Sequence, residues 1–208
     1  MNGQHGDSTR SVTAVNSEAL AGQPVSHGPV PASAYHLSPV EGSEPDTYGR
    51  SSNPTWRHLE SALAQLEGAT TAVTFGSGMA AITAALRVLA EPGSVLVVPA
   101  DGYYQVRRFA AEKLAPLGIT VQEAGADEIC EAAEGADVVL AETPTNPALD
   151  VVDLHRLAGI CRRRGARLLV DNTAATPLAL QPLSLGADLV VASATKALSG
   201  HSDLLAGY

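Results

Sequence analysis

Cysteine, net positive charge and long apolar runs are all scarce in this chain of 208 residues. Its two cysteines, Cys130 and Cys161, have no metal-type spacing and no neighbouring cysteine, which predicts free thiols in a reducing compartment and no metal site. The net charge of −9 argues against non-specific binding to nucleic acid or anionic lipid. No apolar segment approaches membrane-spanning length, and no basic stretch followed by an apolar run marks a secretory signal. We therefore expect a cytoplasmic protein that binds neither membranes nor nucleic acid.

The composition is that of a globular protein with one sizeable core. Apolar residues make up 45% and charged residues 17% of the chain. Residues 1–47 are rich in Ser, Gly and Pro and have no sustained period, which is typical of an extended arm that packs on something, often another subunit. The pattern changes at Asn53. We therefore predict an arm over 1–52 and a domain over 53–208.

Helical and strand patterns alternate after Asn53. Pro54 is predicted to open the first helix and Gly68 to end it. Further helices are predicted at 80–90, 104–115, 128–133 and 152–164, and strands at 72–75, 95–99, 119–122, 138–141, 167–170 and 189–192. Continuous apolar strands separated by amphipathic helices indicate an α/β fold with a mainly parallel sheet covered on both faces.

Ligands of such sheets bind at the carboxyl ends of the strands, so chemistry is expected just after each strand. The turn Gly76-Ser77-Gly78-Met79 precedes a helix and offers backbone N–H groups and the helix dipole to an anion. Gly76, Gly78 and Ala81 also match the dinucleotide fingerprint G-x-G-x-x-A, with Asp101 about twenty residues later. A nicotinamide-binding oxidoreductase is therefore one alternative.

Two other strand ends favour a different cofactor. Asp171 ends an apolar strand, where a carboxylate either caps the next turn or pairs with a protonated pyridine nitrogen. Lys196 follows another apolar strand; it is either a solvated surface lysine or a nucleophile that reacts with a carbonyl group. Ser193 and Thr195 are two residues apart, so in extended chain both hydroxyls could donate to one phosphate.

Five segments together carry a family resemblance: Tyr48–Thr55, Gly76–Ala80, Glu142–Pro147, Asp171–Thr173 and Ser193–Lys196. With these motifs in order, the chain from about Thr9 onward resembles the Cys/Met-metabolism family of pyridoxal-phosphate (PLP) enzymes. The resemblance implies the large domain of the fold type I PLP transferases, with a seven-stranded-type sheet. Family members are roughly twice this length, so it also implies that this domain is incomplete, and that the C-terminal small domain and the arginine for the substrate carboxylate are absent.

The resemblance also implies roles for single residues. Lys196 would bind PLP covalently and move protons, Tyr103 would stack on the ring, and Asp171 would bind the pyridine nitrogen. Because Tyr104 is adjacent, the stacking assignment could shift by one. The remaining implied contacts are with the phosphate (Gly78, Met79, Ser193 and Thr195), with the ring hydroxyl (Asn146), and with the phosphate of a neighbouring subunit (Tyr48 and Arg50). Thr173 is a further implied cofactor-binding residue.

The implied activity is elimination or replacement at the γ-carbon of a sulfur amino acid, within a homo-oligomer that is a dimer of dimers. Cystathionine γ-lyase is the first expectation; γ-synthase, methionine γ-lyase and O-acylhomoserine sulfhydrylase are alternatives. Two departures concern substrate preference: Tyr104-Gln105-Val106 replaces a small-residue turn, and Ala174-Ala175 stands where an aromatic residue is common. An inactive fragment that keeps the cofactor pocket is a further alternative. A cut sheet exposes an edge and apolar surface, so we expect poor solubility or abnormal association.

Overall fold

The computed structural model describes residues 6–16, 20–40, 42 and 44–208 of the chain. Within the predicted arm, residues 1–5, 17–19, 41 and 43 lie outside this part. The chain forms two compact units, 1–74 and 75–208. The helix that follows Asn53 thus belongs to the first unit, and the domain boundary at residue 53 stays a prediction.

The first unit contains two helices, α1 (Asp7–Thr13) and α2 (Pro54–Glu67). The predicted arm is therefore helical over one short stretch. The predicted start of α2 is confirmed, since Asn53 caps it by accepting a 2.8 Å hydrogen bond from the Thr55 N–H. Its end is confirmed too, because Gly68 follows with φ of 68°, in the left-handed region that favours glycine.

The same Asn53 side chain attaches the arm to α2. Its amide donates to the Val30 carbonyl at 2.9 Å and to the Tyr35 hydroxyl at 3.1 Å. A single asparagine thus fixes both the first turn of α2 and the path of the preceding segment.

The second unit is built on five parallel strands: β1 (Val95–Pro99), β2 (Thr120–Ala124), β3 (Val138–Glu142), β4 (Arg167–Asp171) and β5 (Leu189–Val191). Their order is β2-β1-β3-β4-β5, which confirms the predicted α/β fold with a parallel sheet. The strand predicted at 72–75 was wrong. Only Phe75 pairs, in an antiparallel bridge with Gly207, while the Thr74 N–H and hydroxyl both bind the Glu60 carboxylate.

Helices cover the sheet. They are α3 (Gly78–Leu89), α4 (Tyr104–Phe109), α5 (Ile129–Ala132) and α6 (Leu154–Arg164). A further short helix, α7 (Thr176–Ala179), follows β4. The helix predicted over 104–115 continues past α4 as a π-helical turn, Ala110–Leu114, and ends in a 3₁₀ turn, Ala115–Leu117. Among the residues that the structure describes, none of the helices combines the length and apolar character that crossing a bilayer requires.

The core has two layers, one on each face of the sheet. Alternate strand residues such as Val139 and Leu168 pack with α5 and α6. Their neighbours Leu140 and Leu169 pack with α3 and α4. Because side chains alternate along a strand, Glu142 and Asp171 at the ends of β3 and β4 point to the α3 and α4 face.

Candidate active site

The carboxyl edge of the sheet contains a point at which the chain reverses its direction of winding. From β1 the chain moves to β2 at one edge, then returns to β3 on the other side of β1. In open parallel sheets, ligands bind in the crevice that such a reversal creates. Tyr103 follows β1, and Glu142 ends β3, so both lie at this crevice.

Asp171 is a buried carboxylate at the same edge, with 6% of its surface exposed. The N–H and the hydroxyl of Thr173 both donate to Oδ1, at 3.0 and 2.6 Å. Burial raises the pKa of Asp171, and the two hydrogen bonds from Thr173 oppose that rise. Within the described part of the chain Oδ2 has no hydrogen-bond partner, so this oxygen remains available to a further donor.

Thr173 links Asp171 to the end of β5. While its hydroxyl donates to Asp171, the same oxygen accepts the N–H of Ser193 at 2.8 Å. Ser193 in turn lies close to the first residue of α3, since a Cβ on Gly78 would lie 2.7 Å from the Ser193 Cβ. The structure thus brings Asp171, Thr173, Ser193 and Gly78 together.

The start of α3 offers free donors beside Ser193. Ser77 caps the helix, its Oγ accepting the Ala80 N–H at 3.1 Å. The N–H groups of Gly78 and Met79 stand in the first turn and donate no hydrogen bond to any residue described. Together with the helix dipole, they form a site that an anion such as phosphate fits.

Tyr103 and Tyr104 differ clearly in environment. Tyr103 is half-buried against the α3 and α4 layer, whereas Tyr104 is 57% exposed. Their rings meet edge to face, with centroids 5.3 Å apart. The burial favours Tyr103 as the residue that faces the site.

Glu142 lies in one of the five segments that carry the family resemblance, but the sequence predicted no role for it. It is buried, and its Oε2 accepts the Tyr103 N–H at 2.7 Å. The pKa of Glu142 is raised to about 7, chiefly by burial; the hydrogen bond from Tyr103 opposes this rise, and the negative charges of Asp171 and Asp101 contribute to it. The clue available in the sequence was its place as the last residue of an apolar strand.

Lys196 lies on the loop after β5 and is exposed. It lines an open cavity of about 740 Å³ with Thr195, Gly200, Asp203 and Leu205. The Thr195 hydroxyl is engaged with the backbone of Ala206, donating to its carbonyl at 3.1 Å and accepting its N–H at 3.0 Å. A phosphate contact from Thr195 would replace the bond to that carbonyl.

Asn146 is exposed on the loop between β3 and α6. Two buried threonines brace this loop. The Thr143 hydroxyl accepts the Val152 N–H, and the Thr145 hydroxyl accepts the Asp150 N–H, each at 3.0 Å. The loop is therefore held firmly, although Asn146 itself makes no hydrogen bond among the described residues.

Tyr48 and Arg50 belong to the first unit. The Arg50 guanidinium lies over the Tyr48 ring, 4.8 Å from its centroid. Ala34 pairs with Tyr48 in an antiparallel bridge, and the N–H of Gly49 donates to the Ser33 carbonyl at 2.9 Å. The two side chains thus form an exposed aromatic and cationic pair on an anchored turn.

A profile of the Cys/Met metabolism PLP-dependent enzymes matches residues 9–208. The chain belongs to this family. The match favours PLP over the nicotinamide alternative, and so does the local structure: a dinucleotide fingerprint follows a strand, whereas the residue before Gly76 forms only a single bridge.

Relatives in the family have several related activities. A Streptomyces coelicolor protein named provisionally as a cystathionine γ-lyase is 45% identical over 209 residues, covering 98% of this chain and 53% of that protein. Cystathionine γ-synthase from Xanthomonas oryzae pv. oryzae, in complex with aminoacrylate and cysteine, superposes with a TM-score of 0.91 at 33% identity, covering 99% of this chain and 54% of that one. For apo methionine γ-lyase from Micromonospora echinospora the TM-score is 0.88 at 37% identity, covering 100% and 57%. The chain spans about half the length of these relatives.

The donor set of this site fits the cofactor of the family. A protonated pyridine nitrogen is a donor that suits the Oδ2 of Asp171, and the free N–H groups of Gly78 and Met79 suit a phosphate. Ser193 adds a hydroxyl at the same place. These residues lie at the end of β4, at the start of α3 and just after β5, all within one unit.

Proposed function

We propose that this chain is the cofactor-binding part of a PLP-dependent trans-sulfuration enzyme that eliminates or replaces a group at the γ-carbon of a sulfur amino acid. The observation that carries the proposal is the link from Ser193 through Thr173 to Asp171. It joins a carboxylate suited to a pyridine nitrogen with the anion site at the start of α3. Family membership supports the same cofactor.

Each residue in the proposal has a defined task. PLP, when bound, withdraws electrons from the α-carbon of an amino acid. Asp171 holds the proton on the pyridine nitrogen. The phosphate is oriented by Gly78, Met79, Ser193 and Thr195, and the ring is positioned by Tyr103, Thr173 and Asn146.

Lys196 is the proposed covalent attachment point and proton carrier. Lys196 is an exposed residue, so its side chain is accessible to an aldehyde. Its place on the loop just after Ser193 and Thr195 keeps it on the strand-end side of the sheet, where the other groups are.

The sequence offers a matched test of this assignment, because it contains two lysines, Lys196 and Lys113. Both are exposed, and Lys113 lies on the π-helical turn after α4. The chain is mixed with stoichiometric PLP and reduced with borohydride, and the modified peptide is identified by mass spectrometry. We expect label on Lys196 in the chain and in K113R, and none in K196R. Equal labelling of both lysines would refute the proposed site.

We propose a single cofactor but a group of related reactions. Cystathionine γ-lyase remains the first choice, with γ-synthase, methionine γ-lyase and O-acylhomoserine sulfhydrylase as alternatives. Supplying cystathionine, methionine, or an O-acylated homoserine with cysteine or sulfide, and identifying the products, separates them. Labelled Lys196 without turnover would instead support an inactive fragment that retains the cofactor pocket.

We also propose a homo-oligomer, a dimer of dimers, in which the arm over 1–52 reaches a neighbouring subunit. The exposed pair of Tyr48 and Arg50 supports this, since a guanidinium held over an aromatic ring suits a neighbour's phosphate. Free Cys130 and Cys161 support a cytoplasmic location. R50A should weaken PLP binding only under conditions in which light scattering shows association.

A further inference from the structure

Glu142 is a buried carboxyl group to which none of the tasks above is assigned. It ends β3, and strand register places it opposite Asp171 at the end of β4. Both residues point to the α3 and α4 face, and each is 6% exposed. Two buried carboxyl groups at neighbouring strand ends disfavour each other's charge, so one of them tends to hold a proton.

The contacts of Glu142 lead across the crevice to the loop after β1. Its Oε2 accepts the Tyr103 N–H at 2.7 Å. The fit is close, because a Cβ on Gly102 would lie 2.6 Å from the same oxygen. Glu142 therefore fixes the backbone from which the Tyr103 side chain projects.

Burial raises the pKa of both carboxyl groups, and hydrogen bonding distinguishes them. Asp171 accepts two hydrogen bonds from Thr173, whereas Glu142 accepts one from Tyr103. Donors to a carboxylate stabilise the ionised form. The negative charge is thus better stabilised on Asp171, and the proton on Glu142.

We propose that Glu142 is a positioning residue, which fixes Tyr103 through its backbone N–H and which, as the member of the pair that holds the proton, leaves the negative charge on Asp171. The inference rests on the proposed PLP site, in which Tyr103 and Asp171 contact the ring. It adds a second carboxyl group, acting through both of these residues.

The charged groups that act on Glu142 are Asp171, Asp101 and Arg107. Asp101 follows β1, and its Oδ2 accepts the Ala126 N–H. Arg107 on α4 donates to the Gly102 carbonyl at 2.8 Å and pairs with Glu123 at 3.6 Å. Two like charges and one partly neutralised cation favour the protonated form.

The test uses the cofactor-free chain, so that its outcome does not depend on PLP. The chain contains five tyrosines, and labelling them with ¹⁵N gives a small set of amide signals, of which Y103F identifies that of Tyr103. We expect this amide signal to titrate with a midpoint near pH 7 in the chain and to lose that titration in E142Q. The amide side chain introduced by E142Q keeps an acceptor for the N–H but cannot ionise. A Tyr103 signal that is flat with pH, or that titrates equally in E142Q, would overturn the proposal.

Two more variants test separately the positioning of Tyr103 by Glu142 and the coupling of Glu142 to Asp171. E142A removes the acceptor, so hydrogen exchange of the Tyr103 amide should accelerate by about tenfold or more, while E142Q leaves it nearly unchanged. D171N removes the like charge, so the Tyr103 midpoint should move to lower pH. Unchanged exchange in E142A contradicts the positioning role, and an unmoved midpoint in D171N contradicts the coupling. E134Q is the control, because Glu134 is exposed before the amino end of β3 and should alter neither quantity.

Binding of PLP gives a second readout. E142A should weaken the affinity roughly tenfold, and E142Q should preserve it within about twofold at pH 7. If PLP labels no specific lysine while Tyr103 still titrates as expected, the proposed function fails but the link between Glu142 and Tyr103 stands. If Lys196 is labelled and the affinity of E142A is unchanged, the role of Glu142 at the cofactor is refuted.

Discussion

The hydroxyl of Thr173 donates a 2.6 Å hydrogen bond to Asp171, the last residue of β4. Through Thr173, the position of this buried carboxylate also depends on the end of β5. The same oxygen accepts the N–H of Ser193, beyond β5. Displacing the end of β5 would therefore also disturb Asp171. This single threonine couples the part of the site suited to a ring nitrogen with the part suited to a phosphate.

Replacing Thr173 by valine should uncouple the two parts. T173V leaves the Ser193 N–H without its acceptor and Asp171 with one donor fewer, so we expect a loss of about 1–3 kcal/mol in the free energy of unfolding. Urea denaturation measures it, and T173S should recover most of the loss. T83V serves as the control, because the Thr83 hydroxyl bonds only within its own helix, to the Ala80 carbonyl. Equal losses of stability in T173V and T83V would show that the hydrogen bonds of Thr173 to Asp171 and Ser193 stabilise the chain no more than a hydroxyl bonded within its own helix.

Gly78 should tolerate no side chain. The Cβ of an alanine would press on Ser193, and crowding of this kind costs about 1–3 kcal/mol. G78A should therefore unfold at lower urea concentration and bind PLP more weakly. G76A provides a close comparison, since a Cβ there meets nothing within 4 Å. If G76A is as damaging as G78A, the contact with Ser193 is not the cause.

Ser193 should contribute to the recognition of phosphate in particular. S193A removes a hydroxyl beside the first turn of α3, and a hydrogen bond to a charged group contributes about 1.5–3 kcal/mol. We expect S193A to lower the affinity for PLP by about tenfold or more, and to leave the affinity for pyridoxal, which lacks the phosphate, nearly unchanged. Spectral titration with the two compounds makes the comparison. An equal loss of affinity for PLP and for pyridoxal would show that Ser193 does not contact the phosphate.

Stability should depend on pH through Glu142. The pKa of its carboxyl group is about 7 in the folded chain and 4.5 ordinarily, so the folded state binds the proton more tightly than the unfolded state. The contribution of this group to the free energy of unfolding is thus fully present below about pH 4.5 and is lost as the pH rises to about 7, a decrease on the order of 3 kcal/mol. E142Q should be more stable than the chain at pH 8 and lose this advantage at pH 5. A difference between the two that stays constant with pH would contradict the buried, protonated state.

The sequence predicted those features that single residues determine locally. Pro54 and Gly68 set the limits of α2, and the apolar runs set the five parallel strands, because a helix end or a buried strand is determined by its own residues. The turn at Gly78 and the strand end at Asp171 were placed at one edge by the general geometry of parallel sheets.

Features that depend on pairing between distant segments were missed. Glu142 gained no role from its motif, because its position opposite Asp171 depends on strand register. The hydrogen bonds between Thr195 and Ala206 come from a return of the chain that no local pattern indicates. The change from α4 to a π-helical turn at Ala110 was not predicted either, since the apolar period of the segment suits both.

The bridge between Phe75 and Gly207 has a consequence for the order of synthesis. The backbone of Gly207 lies directly against Ser77, the residue that caps α3, although it is made about 130 residues later. During translation the turn before α3 therefore stays incomplete until residue 207 has emerged from the ribosome. Capture of a phosphate by this turn should accordingly require residue 207, and a nascent chain halted shortly before that residue should not retain the ligand.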